Sequence, residues 1–277
     1  MINHFLGIEY GRGATARLVD DGPALAPEQI QKLFPDANWT VVPKTPVDLE
    51  LWKADRFGEN LPVQQATYNN TPTPRHIMIG GDHSLNFGHF SAIADQMPDT
   101  DLCLVYIDAH LDIHSHETSR AQASGAPHGT NVRALCGIGD PRWLQIPKRI
   151  PALKPENVFY LGTRSYEPAE IEFVRENNIY MKSPDELKNN LDNIINEIRA
   201  RIGDRPFVVS FDFDSIDPKY FPDVLVPESN GITVDMAATL LSSFKNAVSF
   251  EFVEYAPSGN AECVDIARRL ISIAQLS

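Results

Sequence analysis

Six apolar residues in a row, Leu102-Cys103-Leu104-Val105-Tyr106-Ile107, run directly into Asp108-Ala109-His110-Leu111-Asp112. An unbroken apolar run of this length reads as a strand covered on both faces, as in a parallel sheet with helices on either side. In extended backbone, residues two apart point the same way, so Asp108, His110 and Asp112 can converge at the strand's end. The arrangement recurs at Phe207-Val208-Val209-Ser210-Phe211, which leads into Asp212-Phe213-Asp214. One isolated Asp-x-Asp at a strand end usually caps a turn or faces water. Two such clusters on core strands bring four carboxylates to the mouth of one sheet, where uncompensated desolvation costs several kcal/mol or more per ion. The pattern therefore calls for cations.

The rest of the chain alternates strand and helix signals. Residues 2–8 read as a first strand, entering a turn at Gly11-Arg12-Gly13 that lacks the full dinucleotide fingerprint and is taken as a loop. Pro27 to Phe34 reads as a short helix and Trp39 to Val42 as a strand, whereas residues 61–74 read as a polar, proline-containing connection. His76-Ile77-Met78-Ile79 is a core strand running into Gly80-Gly81-Asp82-His83-Ser84, with Ser84 as N-cap of a helix over 85–96. This places His83 at the same edge as Asp108. The irregular stretch after Asp112 contains His114, His116, Ser124 and His128, and a long connection at the ligand-bearing edge is expected to form the pocket. His114 and His116 could themselves mimic a metal pair, but nearer ligands already suffice.

A strand over 157–161 precedes a helix from about Pro168 to Glu176. Ser183, Pro184 and Glu186 form a capping box for a helix carrying Leu187, Leu191, Ile194, Ile195, Ile198 and Ile202, ended by Gly203. Asp217, before Pro218, is expected to be a turn residue or an outer partner of the ligands. A helix over about 234–244, a strand over 247–253 delivering Glu254, and a helix over about 261–276 complete the pattern. The alternation implies α/β, a three-layer α/β/α arrangement with a largely parallel central sheet. The 277 residues, 43% hydrophobic with no compositional break, suit a single domain.

Composition narrows the partners. The net charge of -13 argues against nucleic acid or an anionic membrane and favours a small cationic substrate. The three cysteines, Cys103, Cys136 and Cys263, form no Cys-x-x-Cys pair and suit a reducing compartment. No basic leader followed by an apolar stretch opens the chain, and no apolar run approaches the ~18 residues a membrane span needs. A cytoplasmic protein is expected.

His83, Asp108, His110, Asp112, Asp212 and Asp214 are too many and too oxygen-rich for one tetrahedral zinc and suit two ions, with manganese leading. Two divalent ions also balance four carboxylates. Ions about 3.5–4 Å apart can bridge a water and generate hydroxide near neutral pH. With Glu254 adding negative charge, the site suits a planar guanidinium, and His128 is the candidate proton donor to the departing amine.

Gly80-Gly81-Asp82-His83-Ser84, Asp108-Ala109-His110-Leu111-Asp112, His128-Gly129, Ser210-Phe211-Asp212-Phe213-Asp214-Ser215-Ile216-Asp217-Pro218 and Glu254-Tyr255-Ala256-Pro257 together resemble the successive motifs of the arginase/agmatinase family, the ureohydrolases. The resemblance implies two Mn2+ ions per chain. One would sit on His83, Asp108, Asp112 and Asp212, and the other on Asp108, His110, Asp212 and Asp214. It also implies His128 as proton shuttle, Glu254 as the carboxylate that pairs with the guanidinium, and a homo-oligomer, trimer or hexamer. The reaction implied is hydrolysis of a guanidino C–N bond, releasing urea, by attack of a metal-bridging hydroxide.

The substrate loop departs from the arginase pattern. Where arginases hold the α-carboxylate with two asparagines and a serine, the matching positions resemble His114, Ala126 and Ser124, while Glu167 matches the residue that receives the α-amino group. Val224-Leu225-Val226-Pro227 replaces a small polar segment. Formiminoglutamate hydrolases share the metal motifs but tend to carry an aromatic where His128 stands, so His128 favours a guanidino substrate. Two rivals are a histone-deacetylase-like amidohydrolase with one zinc, and a family member that binds metal without turnover.

Overall fold

The computed structural model describes residues 1–14, 22–121 and 126–276. Eight strands, β1 (His4–Ile8), β2 (Asn38–Val42), β3 (His76–Ile79), β4 (Cys103–Ile107), β5 (Val158–Leu161), β6 (Tyr180–Lys182), β7 (Phe207–Asp212) and β8 (Ser249–Val253), form one sheet in the order β2-β1-β3-β8-β7-β4-β5-β6. Every pairing is parallel, so all carboxyl ends lie along one edge. The strands alternate between two cores. Val105, Ile107, Val209, Phe211, Phe250 and Phe252 join the helices at Ala26–Leu33, Pro184–Ile202, Val234–Ser243 and Ala261–Gln275. Leu104, Tyr106, Val158, Tyr160 and Val208 face the opposite way, toward the helices at Asn86–Gln96, Asn131–Leu135 and Pro168–Glu176. This is the three-layer α/β/α arrangement expected, with a wholly parallel sheet.

The order fixes where the site lies. From β4 the chain moves outward to β5, whereas from β7 it moves the other way to β8, although β4 and β7 are neighbours. Such a reversal opens a crevice beyond the carboxyl ends. The register pairs Ile107 with Phe211 and Asp212 with Val253, so Asp108 and Asp212 leave the sheet side by side and Glu254 follows one residue further on.

Some expectations shift. Residues 61–74 are mostly not a connection, because a helix spans Arg56–Asn70 with Pro62 inside it. Its inward positions Asn60, Gln64 and Thr67 are polar yet buried. Gln64 donates to the Ser84 carbonyl at 2.8 Å and Asn60 to Ser84 Oγ at 2.9 Å, which satisfies side chains that read as loop-like. Ser84 does not cap the helix over Asn86–Gln96; Asp82 caps the turn before it by accepting the Ser84 N–H at 2.9 Å. Asp217 is the turn residue expected, accepting the Lys219 N–H at 3.1 Å. The short helices at Leu49–Ala54 and Asn131–Leu135, and the edge strand β6, are additions to the sequence reading.

Candidate metal centre

All six candidate ligands meet at the carboxyl edge. His83 Nδ1 lies 2.9 Å from Asp108 Oδ2, 3.1 Å from Asp212 Oδ2 and 3.5 Å from Asp112 Oδ2. Its other ring nitrogen lies 2.8 Å from Ser210 Oγ. His110 Nδ1 lies 3.0 Å from Asp214 Oδ2 and 3.5 Å from Asp108 Oδ1. His83, Asp108 and Asp212 form one group able to hold an ion, and Asp108, His110 and Asp214 form another, each with its ligand atoms within 4.8 Å. Asp108 belongs to both. Asp112 stands beside the first group rather than in it: its Oδ2 accepts Tyr106 Oη at 3.0 Å and Asn131 Nδ2 at 3.3 Å.

Short backbone contacts aim these carboxylates. Asp108 Oδ1 accepts the His110 N–H at 2.7 Å, Asp212 Oδ1 accepts the Asp214 N–H at 2.7 Å, and Asp214 Oδ1 accepts the Ala109 N–H at 3.2 Å. The remaining oxygens turn inward. Asp112 (φ 49) and Glu254 (φ 62) occupy the left-handed region without being glycine, the kind of strain that surrounding structure sustains at functional sites.

The electrostatics show a shortage of positive charge. Burial pushes the carboxyls of Asp112, Asp212 and Glu254 up, and the neighbouring carboxylates Asp108, Asp214 and Asp82 add to it. Burial opposes charge on His83 as well, yet Asp108 and Asp212 override it and raise its pKa. Asp108 Oδ2 and Glu254 Oε2 are buried with no hydrogen-bond donor among the described residues, although His83 Nδ1 is close to the former. Two imidazoles therefore serve more carboxylates than they can satisfy, and the donor set fits divalent cations.

A cavity of about 170 Å³ opens over the centre, lined by His110, Asp112, His114, Ser119, His128, Gly129, Ser165, Tyr166, Glu167 and Glu170. His128 Nδ1 is 2.8 Å from the Gly13 carbonyl, and burial pushes the ring's pKa down to about 3, keeping it neutral. His114 Nε2 lies 3.4 Å from Glu167 and 3.6 Å from Glu170. Glu254 lies deeper, its Oε1 accepting the His83 N–H at 2.9 Å. Ser124 falls outside the described residues, and Ala126 is buried.

Sequence reasoning missed several supports. Tyr106 stacks on His83 with ring centroids 4.4 Å apart, and Ser210 meets the same ring. Both precede a ligand by two residues, and that spacing was the available signal. Arg164 donates to the carbonyls of Asp214 at 2.8 Å and Glu228 at 2.6 Å, fixing the loop after β7. No local pattern marks that.

An eight-stranded parallel α/β/α chain with paired carboxylate-histidine groups at its carboxyl edge is the class defined so far. The Arginase family model matches residues 19–273, and the chain belongs to the arginase family. Arginase of Bacillus caldovelox is 33% identical over 187 residues, which span 65% of this chain and 61% of that protein. The solved arginase of Entamoeba histolytica, in complex with L-ornithine, superposes with a TM-score of 0.86 at 23% identity, covering 98% of this chain and 97% of that one. Proclavaminate amidino hydrolase of Streptomyces clavuligerus gives 0.76 at 21% identity, over 99% and 90%. Among the described residues, no helix is long and apolar enough to cross a membrane.

Proposed function

We propose that the chain is a single ureohydrolase-type catalytic domain that cleaves a C–N bond of a guanidino compound with two divalent ions, Mn2+ by preference. The observation that carries this reading is the pair of ligand groups sharing Asp108 beneath an acidic cavity. One ion would be held by His83, Asp108, Asp112 and Asp212, and the other by Asp108, His110, Asp212 and Asp214. Bound there, the pair would supply reactive hydroxide near neutral pH.

The chain's own residues provide recognition and proton handling. Glu254, with one buried oxygen lacking a donor, is matched to a guanidinium N–H. The Gly13 carbonyl can only accept, so His128 Nδ1 carries the hydrogen and the neutral ring offers Nε2 as a base. His128 therefore takes a proton from the attacking water before giving one to the departing nitrogen. The balanced change is R–NH–C(NH2)2+ plus water to R–NH3+ plus urea, with both water protons ending on the amine. No lysine or arginine is found among the described lining residues, whereas Glu167 and Glu170 are, which favours a second positive charge on the substrate over a carboxylate.

The test incubates the Mn-loaded protein with arginine, agmatine, guanidinobutyrate, guanidine and formiminoglutamate and measures urea or formamide. Urea from a guanidino compound, agmatine foremost, is expected. Formamide alone would replace the substrate class, and no turnover from two-ion protein would leave a binding role.

A further inference from the structure

The turn Gly11-Arg12-Gly13, unremarkable in sequence, sets the tautomer of His128. The Gly13 carbonyl accepts from His128 Nδ1 at 2.8 Å and from the His128 backbone N–H at 3.3 Å. On its other side the Gly13 N–H donates to Asp82 Oδ2 at 2.8 Å. One residue, Gly13, thus links a buried carboxylate to the imidazole through the N–H and C=O on either side of its Cα. The turn is held firmly. The Asp82 N–H donates to the Tyr10 carbonyl at 3.0 Å, Trp52 Nε1 and Arg56 donate to the Arg12 carbonyl at 3.3 and 3.0 Å, and the Arg12 guanidinium meets Glu59 at 2.7 Å.

Two features show why these residue types are needed. Asp82 receives N–H groups on both oxygens, Gly13 on one and Ser84 on the other, and an asparagine offers only one acceptor oxygen. A Cβ on Gly13 would lie 2.6 Å from Asp82 Oδ1 and 2.8 Å from Ser84 Oγ, so only glycine lets the peptide approach the carboxylate. With its N–H held by the buried carboxylate, Gly13 keeps its own carbonyl aimed at the imidazole.

We propose that Asp82 is a positioning residue for His128, fixing the backbone of Gly13 so that its carbonyl holds the imidazole in its Nδ1–H form with Nε2 free. Its catalytic meaning rests on the reading of His128 as proton carrier, whereas its geometry does not. The test uses the full chain with ¹⁵N-labelled histidine, loaded with diamagnetic Zn2+, and reads the His128 ring nitrogens by NMR, assigned by the signal lost in His128→Ala. Wild type is expected to show a protonated Nδ1 and a bare Nε2, and both Asp82→Asn and Gly13→Ala are expected to shift His128 toward a mixture of tautomers while zinc content holds. An Nε2–H ring in wild type, or an unchanged ring in whichever of the two variants folds, overturns the proposal. If the shift is found but no guanidino compound is hydrolysed, the proposed function fails and the relay stands.

Discussion

Glu254 accepts the backbone N–H of His83 at 2.9 Å, binding the end of β8 to the turn after β3 at the mouth of the sheet. Glu254 does this at a φ of 62, with its second oxygen buried and lacking a donor. One oxygen is structural, and in the proposed function the other meets the guanidinium. Glu254→Gln keeps an acceptor for His83 but removes the charge. Leaving a buried cation without its partner costs ~2–5 kcal/mol, so KM for the guanidino substrate should rise by about 30-fold or more. Steady-state kinetics checks this, and a KM near wild type would remove Glu254 from substrate binding.

In the proposed function His128 is the proton carrier, and among the described residues its ring bonds to the Gly13 carbonyl rather than to a candidate ligand side chain. His128→Ala should lower kcat by about 10²–10⁴-fold while ion content by mass spectrometry stays at the wild-type value. Simultaneous metal loss would show a role in the centre rather than in proton transfer.

Gly81 packs against the Tyr10 backbone so closely that a Cβ there would run into the Tyr10 carbonyl, a group no side-chain rotation can move. That carbonyl also accepts the Asp82 N–H at 3.0 Å. Gly81→Ala should therefore destabilise the fold by about 4 kcal/mol or more and weaken ion binding through the adjoining His83. Thermal unfolding measures it, and an unchanged midpoint would contradict the packing described.

Away from the site, His76 should make the protein acid-sensitive. His76 Nδ1 faces the Thr73 carbonyl at 3.1 Å, so it carries the hydrogen, and Nε2 accepts from His89 Nε2 at 2.6 Å. Burial, reinforced by His89, pushes its pKa down to about 2. The unfolded chain then binds the extra proton first. Stability is fully present above the ordinary histidine pKa and falls as pH drops from about 6.5 toward 2, by ~1.4 kcal/mol per pH unit for this group. Urea unfolding from pH 7 to pH 4 should show a shallower slope in His76→Gln, and identical slopes would rule the contribution out.

The site was more legible than its supports. Apolar runs ending in Asp108 and Asp212 locate the sheet and the edge because a doubly covered strand leaves polar residues only at its end. The helix at Arg56–Asn70 was hidden because its buried side uses Asn60, Gln64 and Thr67, the first two satisfied by Ser84, distant in sequence, and because Pro62 reads as a breaker. β6 escaped notice because three half-buried edge residues give no periodic signal. The bond between Gly13 and His128 spans 115 positions and uses a backbone carbonyl, which leaves no side-chain trace at Gly13.

Asp108 stands in both ligand groups, so it separates a two-ion centre from any other arrangement. The decisive measurement is ion content per chain together with urea release for wild type and Asp108→Ala. Two ions in wild type, with at most one ion and no turnover in Asp108→Ala, is the predicted result. A single ion in wild type, or unchanged turnover in Asp108→Ala, would contradict the shared-ligand centre.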